Sequence, residues 1–188
     1  MSAFQSISSL QNCRLPRIVT PTHYDIHYTD IDLTRFTFTG KVSIDVEVSD
    51  NIDEPYSDIV LHVLDLNILD ATLTQKETNN GNLKTYHAFQ FRYNIKDQTC
   101  TIEFPEAVLR SSLTFVLTLN FHVVFKNNMH GFYRSHYTAL DSHTIKTIAT
   151  TQFDPTDARR TFPCFDKPSL KATFALKVML TDKTLKAI

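Results

Sequence analysis

Apolar and polar side chains alternate along much of this chain, most regularly between residues 113 and 125. Apolar residues occupy every second position of that stretch: Leu113, Phe115, Leu117, Leu119, Phe121, Val123 and Phe125. Because successive side chains of a β-strand point to opposite faces of a sheet, this period predicts a long strand with one buried face. The same pattern predicts strands at residues 41–48 and 171–180. In the second of these we expect five side chains to face inward: Ala172, Phe174, Leu176, Val178 and Leu180.

Six further stretches are predicted to form strands: residues 24–31, 59–64, 67–75, 83–91, 99–104 and 144–151. The sequence Asn-Asn-Gly-Asn at residues 79–82 predicts a hairpin turn, because Asn and Gly accept positive φ angles. Helix is expected only as turn-length pieces at residues 106–110 and 157–160. Short strands at this spacing predict an all-β fold with little helix, most simply an antiparallel β-sandwich.

Length and composition indicate one ordinary domain, because 188 residues with 42% hydrophobic content are enough to bury a core. We expect residues 1–13 to form a flexible N-terminal segment and residues 14–188 to form the β-sandwich. Residues 185–188 resemble the start of another strand, so the domain is expected to be cut short there. The formal charge of -1 argues against nucleic acid or an anionic membrane as a partner.

The three cysteines, Cys13, Cys100 and Cys164, are odd in number and lack metal-ligand spacing. They are interpreted as reduced thiols. The first twelve residues do not show the basic and apolar regions of a secretory signal, and no apolar stretch is long enough to span a membrane. These features predict a cytoplasmic protein.

Candidate metal and nucleophile positions are weak in the sequence. His23 and His27 are four residues apart, but they lie in a predicted strand, where that spacing separates them by about 13 Å. The later histidines are scattered, so only the tertiary fold could assemble a zinc site from them: His122, His130, His136 and His143. Cys164 lies between aromatic residues, a setting that raises a thiol pKa. No metal site and no catalytic residue are therefore predicted.

Two segments carry a resemblance to a known enzyme family. Residues 128–137 include Gly-Phe-Tyr-Arg-Ser, and residues 151–168 read Thr-Gln-Phe-Asp-Pro-Thr-Asp-Ala-Arg-Arg-Thr-Phe-Pro-Cys-Phe-Asp-Lys-Pro. Both resemble segments in the amino-terminal domain of the aminopeptidase N and puromycin-sensitive aminopeptidase family of zinc metallopeptidases, the gluzincins. The resemblance extends over residues 14–188. It implies a β-sandwich that packs beside a thermolysin-like catalytic domain and contributes to its substrate site.

The resemblance also implies which part of a peptide is bound by each of two residues, Gln152 and Asp154. The family's Gln lines the pocket for the first side chain of the peptide and corresponds to Gln152. The family's Glu two positions later binds the peptide's α-amino group and corresponds to Asp154. A carboxylate suits an ammonium group because charge-assisted hydrogen bonds are strong. Aspartate keeps the charge but withdraws the carboxylate by roughly 1 Å, a displacement that weakens a positioned contact. The structural alternatives are that Gln152 satisfies backbone groups at a strand end and that Asp154 starts a turn.

The neighbouring charged residues are expected to hold the site loop by ion pairing rather than to touch substrate: Asp157, Arg159, Arg160 and Asp166. Lys167 replaces a Glu of the family, and we expect this charge reversal to alter docking to a neighbouring domain. The family often has a cis peptide after its acid, so the resemblance implies a cis bond between Asp154 and Pro155.

Catalytic motifs of the family do not occur in the sequence, which contains neither Gly-Ala-Met-Glu-Asn nor HExxH. The resemblance therefore implies zinc as the cofactor of the full-length enzyme and no cofactor in this chain. The leading hypothesis is the amino-terminal substrate-recognition domain of a zinc aminopeptidase, inactive alone and partnered by peptide amino termini and by the catalytic domain. Two alternatives remain: a stand-alone module that binds peptide amino termini or a partner aminopeptidase, and a sandwich with no peptide role.

Overall fold

The computed structural model describes residues 15–76, 83–126, 129–140 and 143–180. Eleven strands form within these ranges: β1 Val19–Asp32, β2 Thr37–Val48, β3 Asp58–His62, β4 Leu66–Gln75, β5 Thr85–His87, β6 Gln90–Asn94, β7 Thr99–Glu103, β8 Thr114–Val124, β9 Gly131–Thr138, β10 Ile145–Gln152 and β11 Thr173–Val178. The described helix is one 3-10 turn at Ala158–Arg160. The prediction of an all-β fold with little helix is confirmed.

Three sheets make up the described structure. A six-stranded sheet has the order β11-β1-β2-β8-β4-β5, a three-stranded sheet has the order β3-β7-β6, and β9 pairs with β10. The β1 and β11 strands run parallel, and the other strand pairs are antiparallel. One cluster of buried apolar residues joins the two larger sheets, including Ile59 and Ile102 from the smaller sheet and Leu117 from the larger. The two layers therefore form a sandwich.

The predicted strand at residues 83–91 is wrong as a single element, because the chain changes sheet within it. Ala88 donates its backbone N–H to the Ala71 carbonyl of β4 at 2.9 Å, whereas Phe89 donates to the Glu103 carbonyl of β7 at 3.0 Å. The β5 strand therefore ends the large sheet and β6 begins its pairing in the small one. A local pattern of apolar residues does not show which sheet a strand joins.

The β11 strand corrects a second expectation. Its apolar side chains lie in register with the buried residues of β1, so they point to the same face of the sheet. They are nevertheless exposed, with Phe174 at 61% and Leu176 at 63%, because no other described layer covers this end of the sheet. Leu180 and Ala172 are partly buried against the core. The inward-facing prediction gave the correct face but the wrong burial for the middle of the strand.

Two local expectations are also wrong. Residues 106–110 form no helix, and Leu109 instead exchanges backbone hydrogen bonds with Tyr56 at 3.0 and 3.1 Å. Every peptide bond in the described part of the chain is trans, including the bond between Asp154 and Pro155. The predicted turn at residues 79–82 lies outside the described residues, although its flanking strands β4 and β5 do pair antiparallel.

Two of the three cysteines lie within the described residues. Cys100 and Cys164 are free and buried, and Cys13 lies outside the described ranges. Burial raises the pKa of Cys100 to about 12 and raises that of Cys164 well above its usual value. Within the described ranges, no helix has the length and apolar character needed to cross a membrane.

Candidate functional site

The β9–β10 hairpin brings the two resembling segments together. Gly131, the first residue of β9, pairs with Gln152, the last residue of β10. The chain then turns through residues 152–156, all of them exposed, which we call the exposed edge. Residues 157–166, which follow directly, are mostly buried and are called the anchor segment. The site predicted from the sequence therefore has an open part and a packed part.

Gln152 and Asp154 lie side by side on the exposed edge. The Gln152 Nε2 amide donates to Asp154 Oδ1 at 3.3 Å, and Phe153 between them is 48% exposed. Among the described residues, no lysine, arginine or histidine ion-pairs with the Asp154 carboxylate. Such a carboxylate is available to a cationic ligand. The substrate-binding role of these two residues stays a prediction.

Gly131 allows the hairpin to approach the anchor segment closely. Its φ of +71° lies in the left-handed region that L side chains rarely adopt. A Cβ atom at this position would lie 2.9 Å from the Arg160 Cβ and 3.0 Å from the Thr161 hydroxyl. Only glycine fits both the dihedral and the space. This glycine therefore determines how the end of β10 sits on the anchor segment.

An ion-pair network supports the turn below the exposed edge. Asp157 is buried and accepts hydrogen bonds from Arg160 Nε at 3.1 Å and from His130 Nδ1 at 2.7 Å. The other side of the Arg160 guanidinium binds the Asp65 carboxylate, which also binds Lys126. The network ties the exposed edge to the loop between β3 and β4. The sequence predicted pairing for Asp157 and Arg160 but did not identify His130, Asp65 or Lys126 as members of the network.

Arg159 anchors the segment from the buried side. Its Nε donates to Asp166 Oδ2 at 2.9 Å, and its Nη1 donates to the Gln98 side-chain oxygen at 3.1 Å. The Arg159 carbonyl accepts the backbone N–H of Leu64 at 2.9 Å. Because this guanidinium is buried, its charge must be matched by these acceptors. The described side-chain contacts of Arg159 and Asp166 are internal, and their role in supporting the site loop stays a prediction.

His62 was not singled out by the sequence, yet it lies at the centre of the anchor. It exchanges backbone hydrogen bonds with Cys164, and its Nδ1 accepts the backbone N–H of Asp166 at 3.1 Å. Burial is the main cause that lowers the pKa of His62 to about 4, with a further contribution from the nearby charge of Arg159. The imidazole is therefore neutral near pH 7. No sequence signal separated this histidine from the others.

Tyr24 and Lys167 connect the anchor segment to the rest of the sandwich. The Tyr24 hydroxyl accepts the backbone N–H of Phe165 at 3.1 Å, and burial raises the pKa of this phenol. Lys167 donates its Nζ to the Leu15 carbonyl at 3.1 Å. The lysine that departs from the family pattern is thus engaged with the start of the described chain. Its expected effect on docking stays a prediction.

Comparisons with known proteins agree on one family. The family model described as the peptidase M1 N-terminal domain matches residues 20–188. Endoplasmic reticulum aminopeptidase 1 of Rattus norvegicus is 34% identical over 167 residues, which cover 89% of this chain and 17% of the relative. Alanine/arginine aminopeptidase of Saccharomyces cerevisiae is 32% identical over 166 residues, covering 88% and 18%. Aminopeptidase M1 of Arabidopsis thaliana is 37% identical over 163 residues, covering 87% and 17%. The chain thus spans about one sixth of the length of these relatives.

Proposed function

The chain belongs to the peptidase M1 family, in which it matches the N-terminal domain, and from this premise we propose that it is the substrate-recognition part of a zinc aminopeptidase. The observation that carries the proposal is the pair of exposed side chains, Gln152 and Asp154, at the end of β10. Asp154 would hold the α-ammonium group of a peptide, and Gln152 would line the pocket for the first side chain.

The physical basis of the proposal is the contrast between an available carboxylate and a rigid support. The Asp154 carboxylate makes a described hydrogen bond only with the Gln152 amide, so binding an ammonium does not require an existing ion pair to break. The anchor segment beneath it is tied down by buried side chains such as Arg159. A positioned acceptor on a rigid support loses little freedom on binding.

The hydrolytic step is assigned to the catalytic domain of the parent enzyme. Zinc in this family activates a water molecule for attack on the peptide bond. His23 and His27, whose spacing matches the two histidines of that zinc motif, do not fit the ion. His23 and His27 lie on β1, where their rings contact Thr173 and Asp25 respectively, and the HExxH pattern does not occur in the sequence. We therefore propose that this chain binds and orients the peptide amino terminus without cleaving it.

A peptide titration tests the proposal. The 188-residue chain is titrated with a short peptide bearing a free amino terminus and with its N-acetylated form, using calorimetry. We expect the free peptide to bind at least tenfold more tightly, because acetylation removes the charge that pairs with Asp154. Asp154→Asn should abolish this preference. Asp53→Asn, at an exposed aspartate outside the site, is the matched control and should retain it.

Equal binding of the two peptides by the unaltered chain would contradict an ammonium site. Retention of the preference in Asp154→Asn would show that another residue carries it. Gln152→Ala should weaken binding of both peptides without changing their ratio, since this side chain is assigned to the first side chain and not to the amino group.

The exposed face of β11 favours a second role, docking against another protein. Phe174 stacks on the buried Tyr24 ring with centroids 4.7 Å apart, and Tyr24 in turn contacts the anchor segment. The exposed apolar side chains of β11 therefore continue directly from the core beside the candidate site. Large exposed apolar patches mark interaction surfaces. We propose the catalytic domain of an M1 aminopeptidase as the partner, in the same chain or in another.

Binding to a separately expressed M1 catalytic domain tests this docking role. Leu176→Asp should weaken the association at least tenfold by placing a charge in the apolar face. Leu140→Asp changes another exposed leucine, which lies beyond the end of β9, and it should have no effect. Equal effects of the two substitutions would contradict docking through β11.

A cytoplasmic location is also part of the proposal. The buried free thiols of the described residues fit this location.

A further inference from the structure

Three side chains with metal-ligand chemistry meet where the β9–β10 hairpin ends. His130 precedes β9, Asp154 follows β10, and Asp157 begins the turn that leads to the 3-10 helix. The pairing of Gly131 with Gln152 brings the first two together across the hairpin. One ligand atom from each of the three lies within 4.8 Å of the other two. Asp154 and Asp157, which follow His130 by 24 and 27 positions, therefore form one compact group of donors with it.

The spacing of these atoms is close to what a transition metal requires. Bonds of about 2.0–2.2 Å from zinc to nitrogen and oxygen place tetrahedral ligands about 3.3–3.6 Å from one another. His130 Nδ1 and Asp157 Oδ2 are 2.7 Å apart and share a hydrogen bond. A bound ion would replace the shared proton, which is released to solvent, and would move the two atoms apart by about 0.6–0.9 Å. The Asp154 carboxylate lies within 4.8 Å of both of them, and because its side chain is exposed it can rotate towards a shared ion.

The surroundings favour a cation at this position. Asp157 is buried and its Oδ1 is held by Arg160 Nε at 3.1 Å, which leaves Oδ2 directed at His130. Such a contact orients a ligand in the way that outer-shell groups do in metal sites. The Arg160 charge opposes an incoming cation, but it is shared with the Asp65 carboxylate. The Asp154 carboxylate has no ion-pair partner among the described residues.

We propose that His130, Asp154 and Asp157 bind a divalent transition-metal ion, with Zn²⁺ the best match. One imidazole and two carboxylates are borderline and hard donors, a set that Zn²⁺ accepts and that the larger, oxygen-preferring Ca²⁺ does not favour. Three protein ligands leave the remaining coordination position to water at the exposed side. The ion and a peptide ammonium would compete for the Asp154 carboxylate, so the ion is tested in the absence of peptide and its binding does not depend on the proposed function.

Calorimetric titration of the full 188-residue chain with zinc chloride tests the site, in a non-coordinating buffer after removal of trace metal. We expect saturable zinc binding to the unaltered chain. At least one of the zinc sites should be lost when either His130 or Asp154 is substituted. His130→Asn keeps a donor for Asp157 and so preserves the turn, and Asp154→Asn changes an exposed side chain. Each should weaken that site at least tenfold. Cobalt chloride should give a visible absorption band that both variants lose.

His136→Asn is the matched control, because His136 lies on β9, the strand that follows His130, and its Nδ1 contacts the Thr147 hydroxyl instead. It should bind zinc as the unaltered chain does. Circular dichroism melting curves of all three variants establish that they are folded. The proposal is overturned if the chain shows no saturable binding, or if His130→Asn and Asp154→Asn bind zinc as tightly as His136→Asn does.

Discussion

The exposed edge and the anchor segment are adjacent in sequence but treat their charges in opposite ways. On the exposed edge, Asp154 has a described contact only with a neutral amide. In the anchor segment, Arg159 and Asp157 are buried and every described contact of their charged groups is to an internal acceptor or donor. The difference teaches that an acid here has no described ion pair where it is solvated and has internal charged partners where it is buried.

Replacement of the buried Arg159 guanidinium should give the largest loss of stability and so tests the contrast between the two regions most strongly. Arg159→Ala should lower the free energy of unfolding by about 3–5 kcal/mol, because it leaves the Asp166 carboxylate without its cation in a largely buried site. Urea denaturation measures the loss. Arg110→Ala, at an exposed arginine, should change the free energy by about 0.5 kcal/mol or less. A loss below about 1 kcal/mol in Arg159→Ala would contradict the anchoring role.

Acid should destabilise the anchor segment through His62. The pKa of this histidine falls from 6.5 to about 4 on folding, so the unfolded chain binds a proton more readily. The contribution to stability is fully present above pH 6.5 and is lost as the pH falls towards about 4. The slope of this loss is at most about 1.4 kcal/mol per pH unit.

Urea denaturation at several pH values between 7 and 4 measures the His62 effect. His62→Asn places an amide oxygen near the position of Nδ1, so it can still accept the Asp166 N–H while it no longer titrates. Stability of this variant should fall less steeply with acid than that of the unaltered chain. Parallel pH profiles for the two proteins would show that other groups cause the acid response.

Adding one methyl group at Gly131 tests the close approach between the hairpin that leads to the exposed edge and the anchor segment. Gly131→Ala should cost about 1–3 kcal/mol, since it combines a left-handed φ with a Cβ contact of 2.9 Å. Thermal unfolding measures the effect. Thr138→Ala at the opposite end of β9 is exposed and should cost about 0.5 kcal/mol or less. An equal cost for both would mean that the hairpin does not depend on close approach at Gly131.

The smallest expected effect is at the exposed edge. Asp154→Asn should change the free energy of unfolding by about 0.5 kcal/mol or less, because the carboxylate is exposed and has no described ion-pair partner. Denaturation midpoints of the variant and the unaltered chain should therefore coincide. A loss of more than about 1 kcal/mol would show that this aspartate supports the fold. That result would favour the structural alternative, in which Asp154 starts a turn.

The candidate residues of the site could be predicted from the two resembling sequence segments. The contacts that support these residues could not. The resembling segments made Gln152 and Asp154 candidates for substrate binding and indicated that the following charges pair with one another. Their partners Asp65 and His62 were not identified, because they lie 95 and 104 residues away from Arg160 and Asp166. The scattered histidines gave no prediction of the group formed by His130 with two aspartates.

The sequence by itself determined the all-β fold and which side chains share a face of each strand, because strand geometry alternates side chains locally. The β8 and β11 strands show what it left open. Both alternate regularly, yet Leu117 is fully buried and Leu176 is 63% exposed. Only the tertiary structure decided which faces are covered and which charges are paired. Burial and ion pairing depend on a second surface within a few ångströms, and that surface is supplied by residues far away along the chain.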